Sequence, residues 1–278
     1  MNRNDKILFI TLLLFLALFK TSSAQSYQDL VNRSADYIDQ KDYPAAEQTL
    51  KTALNKEPAN PNNVLLFSNL GTIQRELKKY DEALLSYNLA LAKFPTSPRL
   101  LHNRAALYCD MDSIDKALND YNTILLVDNK NIEALYRKGL IHLEKMELEN
   151  AKFDFQTIND IDPKNLMGNS GLALILKRQE KWKDAEELYS DLLYENRTNA
   201  DLFLNRAECY LEQGKLGRAQ EDLNKALSYG CNDPFFYILR GRLKINQYDK
   251  FGAKEDLKKA RELGANLSII EELEKHCR

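Results

Sequence analysis

Residues able to do chemistry are few and scattered in this 278-residue chain. His102, His142 and His276 are its three histidines, and no pair of cysteines at ligand spacing accompanies any of them. A structural zinc site draws about four nitrogen or sulfur ligands from closely spaced residues, so no metal is expected. The segment "DMDSID", Asp110 to Asp115, opens like a calcium loop but has Asp115 where that loop needs glycine. "GNSGL", Gly168 to Leu172, is a near miss for a nucleophile elbow, which requires a second glycine at Leu172 and a strand-to-helix turn. No glycine-rich phosphate loop occurs. The residues therefore assemble no catalytic set and no cofactor site, and a non-enzymatic role is expected.

Composition narrows the field further. The 39 Lys and Arg nearly balance the 41 Asp and Glu, so no basic field large enough for nucleic acid is present. Ten glycines and seven prolines interrupt the chain sparsely, and no alternating Val- or Ile-rich run appears. This pattern calls for helices throughout.

The N-terminus stands apart. Arg3 and Lys6 precede the thirteen-residue run "ILFITLLLFLALF", Ile7 to Phe19, which is followed by "KTSSA" and Gln25. A spanning helix needs about 20 apolar residues, so the run suits the core of a secretory signal peptide. Ser22 and Ala24 are the small residues a signal peptidase requires, and no cysteine follows to carry a lipid anchor. Residues 1–24 read as a removed signal peptide, cut between Ala24 and Gln25, with 36 basic residues left against 40 acidic. The chain is then exported, periplasmic or secreted, without stable membrane insertion. The alternative is membrane anchoring by an uncleaved N-terminal segment.

A period organises the rest. The stretch "YDEALLSYNLALAKFP", Tyr80 to Pro95, nearly repeats "YPAAEQTLKTALNKEP", Tyr43 to Pro58. Following one alanine of this motif gives Ala46, Ala83, Ala117, Ala151, Ala185, Ala219 and Ala253; the first gap is 37 residues and the next five are 34. Twelve residues earlier lie Ser34, Gly71, Ala105, Gly139, Ala173, Ala207 and Gly241, all small. Two antiparallel helices need small side chains where their axes approach most closely. Tyr37, Tyr108 and Tyr210 are expected to fill wider gaps from the first helix of a unit. Tyr87, Tyr121, Phe155 and Tyr189 do so from the second. Pro58, Pro95 and Pro163 stop second helices.

These residues resemble the tetratricopeptide repeat, whose 34-residue signature combines small residues, a tyrosine, alanines, an aromatic and a closing proline. "NLGTIQRELKKYDEALLSYNLALAKFP", Asn69 to Pro95, is the best copy. The resemblance implies an all-α, right-handed superhelical solenoid of about seven helix-turn-helix repeats with a C-terminal capping helix. The repeats fall at approximately 27–60, 64–97, 98–131, 132–165, 166–199, 200–233 and 234–267, with the cap at 268–278, in a solenoid domain of 25–278. Leu192 and Arg197 depart from the pattern in the fifth copy, Phe251 lies one place late in the seventh, and Pro61 to Asn63 lengthen one loop. In such a stack Cys209 and Cys231 sit about eight residues apart in height. At 1.5 Å per residue that is about 12 Å, too far for a disulfide.

Function is then expected on the concave face lined by first helices, as the resemblance implies. Fourteen residues before each marker alanine stand Asn32, Asn69, Asn103 and Asn205, with Arg137, Gly171 and Leu239 in other units. A carboxamide donates and accepts at once, so an asparagine ladder could hold an extended peptide backbone. Tyr136, Leu140, Leu143, Met167, Leu174, Leu204 and Leu211 are also predicted to face inward. So are Lys177, Arg178 and Arg75 with positive charge, and Glu133, Glu144, Glu208 and Glu212 with negative. The family's carboxylate-clamping groove is not expected, because Glu133 would repel a ligand carboxylate where a lysine is wanted. The reading is an exported scaffold that binds a peptide or protein partner, for envelope or secreted-protein assembly. The alternative is a glycan- or peptidoglycan-fragment-binding subunit, for which Trp182, the single tryptophan, is expected to be packed between helices. N-terminal sequencing of the native protein is expected to begin at Gln25; an intact Met1 on a membrane-bound species would refute cleavage.

Overall fold

The computed structural model describes residues 25–277; the segment through Ala24, expected from the sequence to be a signal peptide, lies outside the described residues. The described chain is all-helical, with fifteen α-helices. Compact packing divides it into two units, Met1–Asn129 and Lys130–Arg278. The first holds α1 (Tyr27–Asp39), α2 (Tyr43–Lys56), α3 (Asn63–Glu76), α4 (Tyr80–Leu91), α5 (Pro98–Asp110) and α6 (Ile114–Val127). The second holds α7 (Ile132–Glu144), α8 (Leu148–Ile161), α9 (Leu166–Arg178), α10 (Trp182–Glu195), α11 (Ala200–Glu212), α12 (Leu216–Ser228), α13 (Pro234–Asn246), α14 (Lys250–Glu262) and α15 (Leu267–Lys275). Within each unit every helix packs on the next in sequence, the one-dimensional arrangement of a solenoid.

The small residues do what their spacing requires. All seven marker alanines are fully buried, as are Ala105, Ala173 and Ala207. A Cβ added at Gly71 would come within 2.7 Å of Tyr87, and one at Gly139 within 2.6 Å of Phe155. Each glycine thus admits the ring of the paired helix. Phe155 also lies against Gly171 of the next first helix, so one ring fills the joint between three helices. Tyr87, Tyr121, Phe155, Tyr189 and Tyr210 are buried. Tyr37 and Tyr108 are only half-buried: each lies under an arginine of its own helix, Arg33 and Arg104, and covers a unit's flank more than it fills a gap. Asn63, expected in a lengthened loop, opens α3 and is buried. It accepts a hydrogen bond from the Tyr27 hydroxyl (3.0 Å) and donates to the Glu57 and Pro58 carbonyls.

Two periodic devices are additional to the small-residue pattern. The first is the turn inside each repeat. Lys41, Lys78, Asp112, Met146, Glu180, Gly214 and Tyr248 all have φ between 54° and 70°, the left-handed region that glycine enters at least cost. Only one of the seven is glycine. In each turn the next residue's N–H reaches back five residues to a helix carbonyl, as from Asp42 to Tyr37 and from Lys215 to Tyr210, both 2.8 Å. This Schellman closure satisfies carbonyls the helix end would leave open.

The second device is a buried charge clamp. Arg104–Asp120, Lys138–Asp154, Arg206–Asp222 and Arg240–Asp256 join the two helices of a repeat, each pair sixteen residues apart. Arg206 is bidentate, its Nε and Nη2 donating to Asp222 at 2.7 and 2.9 Å. The four aspartates are essentially inaccessible, and burial pushes the Asp154 carboxyl up. At the corresponding places the fifth repeat has Leu172 and Leu188. Both partners are apolar together, because a lone buried charge is far more costly than a buried hydrophobic pair. In the first unit Glu47 plays a related part. Although burial would push its carboxyl up, hydrogen bonds from Lys51, Lys79 and Gln74 hold it down to about 2.

The last repeat is closed by α15. Ile270 and Cys277 are buried against Ile238, Leu257 and Ala260, with Leu273 packed at the edge. All four cysteines are free thiols. Cys209 and Cys231 share one core cluster, and burial pushes the Cys209 thiol up to about 12.

Two outcomes follow for stability. Asp222→Ala is expected to destabilise by about 3 kcal/mol, whereas Arg206→Leu with Asp222→Leu, copying the fifth repeat, should stay within about 1 kcal/mol of the native chain. Urea denaturation of the three proteins checks this, and a double variant as unstable as the single would contradict the clamp. Glu47 has a depressed folded pKa, so its contribution is present above about 4.5 and is lost as pH falls towards about 2. Relative to Glu47→Gln, the native chain should lose stability over that window, measured by thermal unfolding at stepped pH.

Candidate functional site

The second unit carries a recess made chiefly by its first helices. On α7, Tyr136, Leu140 and Leu143 fall at helical spacing along one stripe; on α9, Met167, Ser170, Leu174, Lys177 and Arg178 do the same. α11 adds Leu204, Asn205 and Glu208, and α13 adds Phe235. Two cavities of about 480 and 440 Å³ share Leu174 and Phe235 and so adjoin as one trough. The first continues past Asp201 and Asp233, with Tyr189 in its wall. The second is bounded by Glu144, Trp182 and Ile269 of the capping helix. Trp182, predicted to pack between helices, rests partly on the core and also lines this cavity.

The near edge of the first cavity is built from helix caps. Asn165 Oδ1 accepts from the backbone of Met167 and Gly168 (3.0 and 3.3 Å), and Asn199 Oδ1 from Asp201 and Leu202 (3.0 and 3.2 Å). Asp233 Oδ1 accepts from the Phe235 N–H at 2.6 Å. These residues recur at the 34-residue period, so it is the N-cap position that repeats.

Lys177 sits where the two cavities meet. Its Nζ donates to Asn205 Oδ1 at 2.6 Å and pairs with Glu208. It lies 6.0 Å from the ring centre of Tyr189 and 5.7 Å from that of Phe235. Asn205 Nδ2 in turn donates to the Asp201 carbonyl (2.8 Å). The lysine charge is thus met inside the fold and braces the wall. Arg178, an exposed residue lining the second cavity, has no ion-pair partner among the described residues. The Tyr189 hydroxyl is buried without a hydrogen-bond partner, its ring 1 % exposed, and burial pushes its pKa up.

The recess therefore brings together Tyr136, Leu140, Leu143, Glu144, Met167, Leu174, Lys177, Arg178, Leu204, Asn205 and Glu208 of the residues predicted to face a groove. Leu211 packs in the core instead. Arg137 lines neither cavity and pairs with Glu133 at 2.8 Å on its own helix. Asn32, Asn69 and Asn103 belong to the first unit. Asn32 accepts from Gln28 (2.8 Å), Asn69 is exposed and Asn103 half-buried. Arg75 pairs with Asp110, and Glu212 with Arg242. Sequence reasoning missed Asp201, Asp233, Phe235 and Ile269, and assigned Tyr189 to packing alone. The recurring caps signalled Asp233, the N-cap before α13; nothing in the spacing signalled the others. No group of His, Cys, Asp or Glu able to hold a metal is found among the described residues, and no described helix is long and apolar enough to cross a membrane.

Comparison with known proteins gives consistent results. Family profiles described as tetratricopeptide repeat match residues 33–98, 132–165 and 176–243. The chain is similar to the crystal structure of a tetratricopeptide repeat protein from Parabacteroides merdae, with 38% identity and a TM-score of 0.78. That match covers 91% of this chain and 99% of the other. It shares its fold with PilF of Pseudomonas aeruginosa (18% identity, TM-score 0.58, 77% and 97% covered). It also shares it with yeast Tom70 (16% identity, TM-score 0.67, 95% and 57% covered). No curated protein matches. Tetratricopeptide scaffolds are in general non-catalytic and typical of protein–protein interaction. With the 34-residue period, the paired helices and a relative matched over nearly its whole length, the chain belongs to the tetratricopeptide repeat family.

Proposed function

We propose that the protein is a non-catalytic, exported scaffold that holds a segment of a partner protein in the trough of its second unit. The observation that carries this reading is the trough itself. It has two adjoining cavities, an apolar floor of Leu140, Leu174, Leu204 and Phe235, and polar groups confined to its ends and its middle. An apolar recess with a few placed polar groups is the usual form of a recognition site. A bound segment's side chains would bury the exposed Met167 and Ile269.

Export rests on the short apolar run, its basic flank and the small residues before Gln25. An envelope or secreted partner follows from that location, and assembly of such proteins is the role that fits a scaffold without a catalytic set.

The test is a change at Leu174, which both cavities share and which is half-buried. Leu174→Glu puts an uncompensated carboxylate on the apolar floor and should abolish recovery of the partner captured by the mature native chain. Lys254→Glu, on an exposed site of α14, should leave recovery unchanged. Both variants should melt close to the native chain. Undiminished capture of the same partner by a folded Leu174→Glu variant would overturn the trough as the binding face.

A further inference from the structure

The first cavity has a chemical character of its own. Asp201 and Asp233 both line it, and neither has an ion-pair partner among the described residues. No lysine or arginine lines it. Lys177, close to its Tyr189 and Phe235 walls, is already met by Glu208 and Asn205. Aromatic rings of Tyr136, Tyr189 and Phe235 form much of the remaining wall. An independent observation lies in the same wall: the Tyr189 hydroxyl, 1 % exposed, has no hydrogen-bond partner among the described residues. A buried polar group without a partner is costly, and its oxygen is free to accept.

Three helix N-termini open on the same edge, which would ordinarily favour an anion. Here several of the donors are already taken. Asn165, Asn199 and Asp233 already accept from the first-turn N–H groups of α9, α11 and α13. An incoming carboxylate would meet two carboxylates and few free donors. An incoming cation would meet two uncompensated charges, a hydroxyl oxygen and ring faces, the combination that attracts ammonium and guanidinium groups.

We infer that this cavity receives one cationic side chain, lysine or arginine, from the segment bound in the trough, its stem lying on Met167 and Leu204. The inference rests on the trough reading above and adds the charge of the anchor residue. Asp201 and Asp233 hold the head group, and the Tyr189 oxygen accepts from it.

Two probes separate this inference from the trough reading. The first is N-acetylargininamide against its neutral isostere N-acetylcitrullinamide, followed by amide NMR shifts of the full mature chain. Only the arginine compound should perturb Asp201 and Asp233. The effect should weaken at least tenfold in Asp201→Asn with Asp233→Asn, a pair that keeps the N-cap acceptor, and severalfold in Tyr189→Phe. Equal perturbation by both compounds, or none by either, overturns the cationic anchor. The second probe is acetyl-Ala-Leu-Arg-Leu-Ala-amide with citrulline and glutamate counterparts, measured by calorimetry. Arginine should bind at least tenfold tighter than citrulline, and glutamate weakest. Equal binding of all three would sink the anchor while leaving the trough reading intact. Arginine perturbation by the small probe with no peptide binding would uphold the cation pocket and count against the trough.

Discussion

The ring of Phe155 touches glycine on two sides, Gly139 on the paired helix and Gly171 on the next first helix, and it is fully buried between them. This joint sets how closely α7, α8 and α9 approach, both within a repeat and between repeats. Any side chain at either glycine would have to displace a ring that has nowhere to go, because interiors are packed like crystals. Tyr136, on the same helix as Gly139, lies 5.8 Å from Phe155 between ring centres. The packing joint therefore reaches the recess through a single contact. Tyr87 against Gly71 repeats the contact within a repeat in the first unit.

Around these joints, charge and backbone are accommodated in the same periodic way. The buried clamps place a carboxylate from the second helix against a cation from the first, and three of the four cations are arginines lying near aromatic rings of their own helix. Ring and carboxylate together hold the guanidinium in a planar fork that a lysine cannot match. Removing one partner of a buried pair would strand the other, and in the fifth repeat both are replaced together, by Leu172 and Leu188. At the turns the chain tolerates a left-handed lysine, aspartate, methionine, glutamate or tyrosine. The two hydrogen bonds closing each helix offset the cost of the Cβ in that region.

The recess shows how a repeat scaffold acquires a particular surface. The same positions that are small or charged for packing in one repeat are free to vary on the exposed stripe of the first helix. Lys177 illustrates the consequence: its ammonium is fixed between Glu208, Asn205 and two rings, and it contributes rigidity to the floor with little free charge. The unsatisfied features are left to the ends of the trough, Arg178 at one and the carboxylates with the Tyr189 hydroxyl at the other. A surface with its middle satisfied and its ends unsatisfied discriminates among segments by their terminal or anchor residues.

The sequence by itself determined the helix pairs, their number and the packing joints. A period of 34 residues in small and aromatic positions states which atoms must meet, whatever else the chain does. It also carried the clamps and N-caps in the same register, although Asp120, Asp154, Asp222 and Asp256 look like surface residues until their arginines and lysine are paired across helices. The inward stripe of α7 and α9 was legible because helical spacing fixes which residues share a face. The tertiary structure alone decided which groups on that face remain available. Asn205 and Lys177 satisfy each other across neighbouring repeats, and Leu211 turns into the core. Tyr189 loses its hydroxyl's partner, and Ile269 joins a wall whose other residues lie far away in sequence. Hydrogen bonding and burial are settled by neighbours in space, and repeat spacing does not specify the side-chain contacts between one repeat and the next.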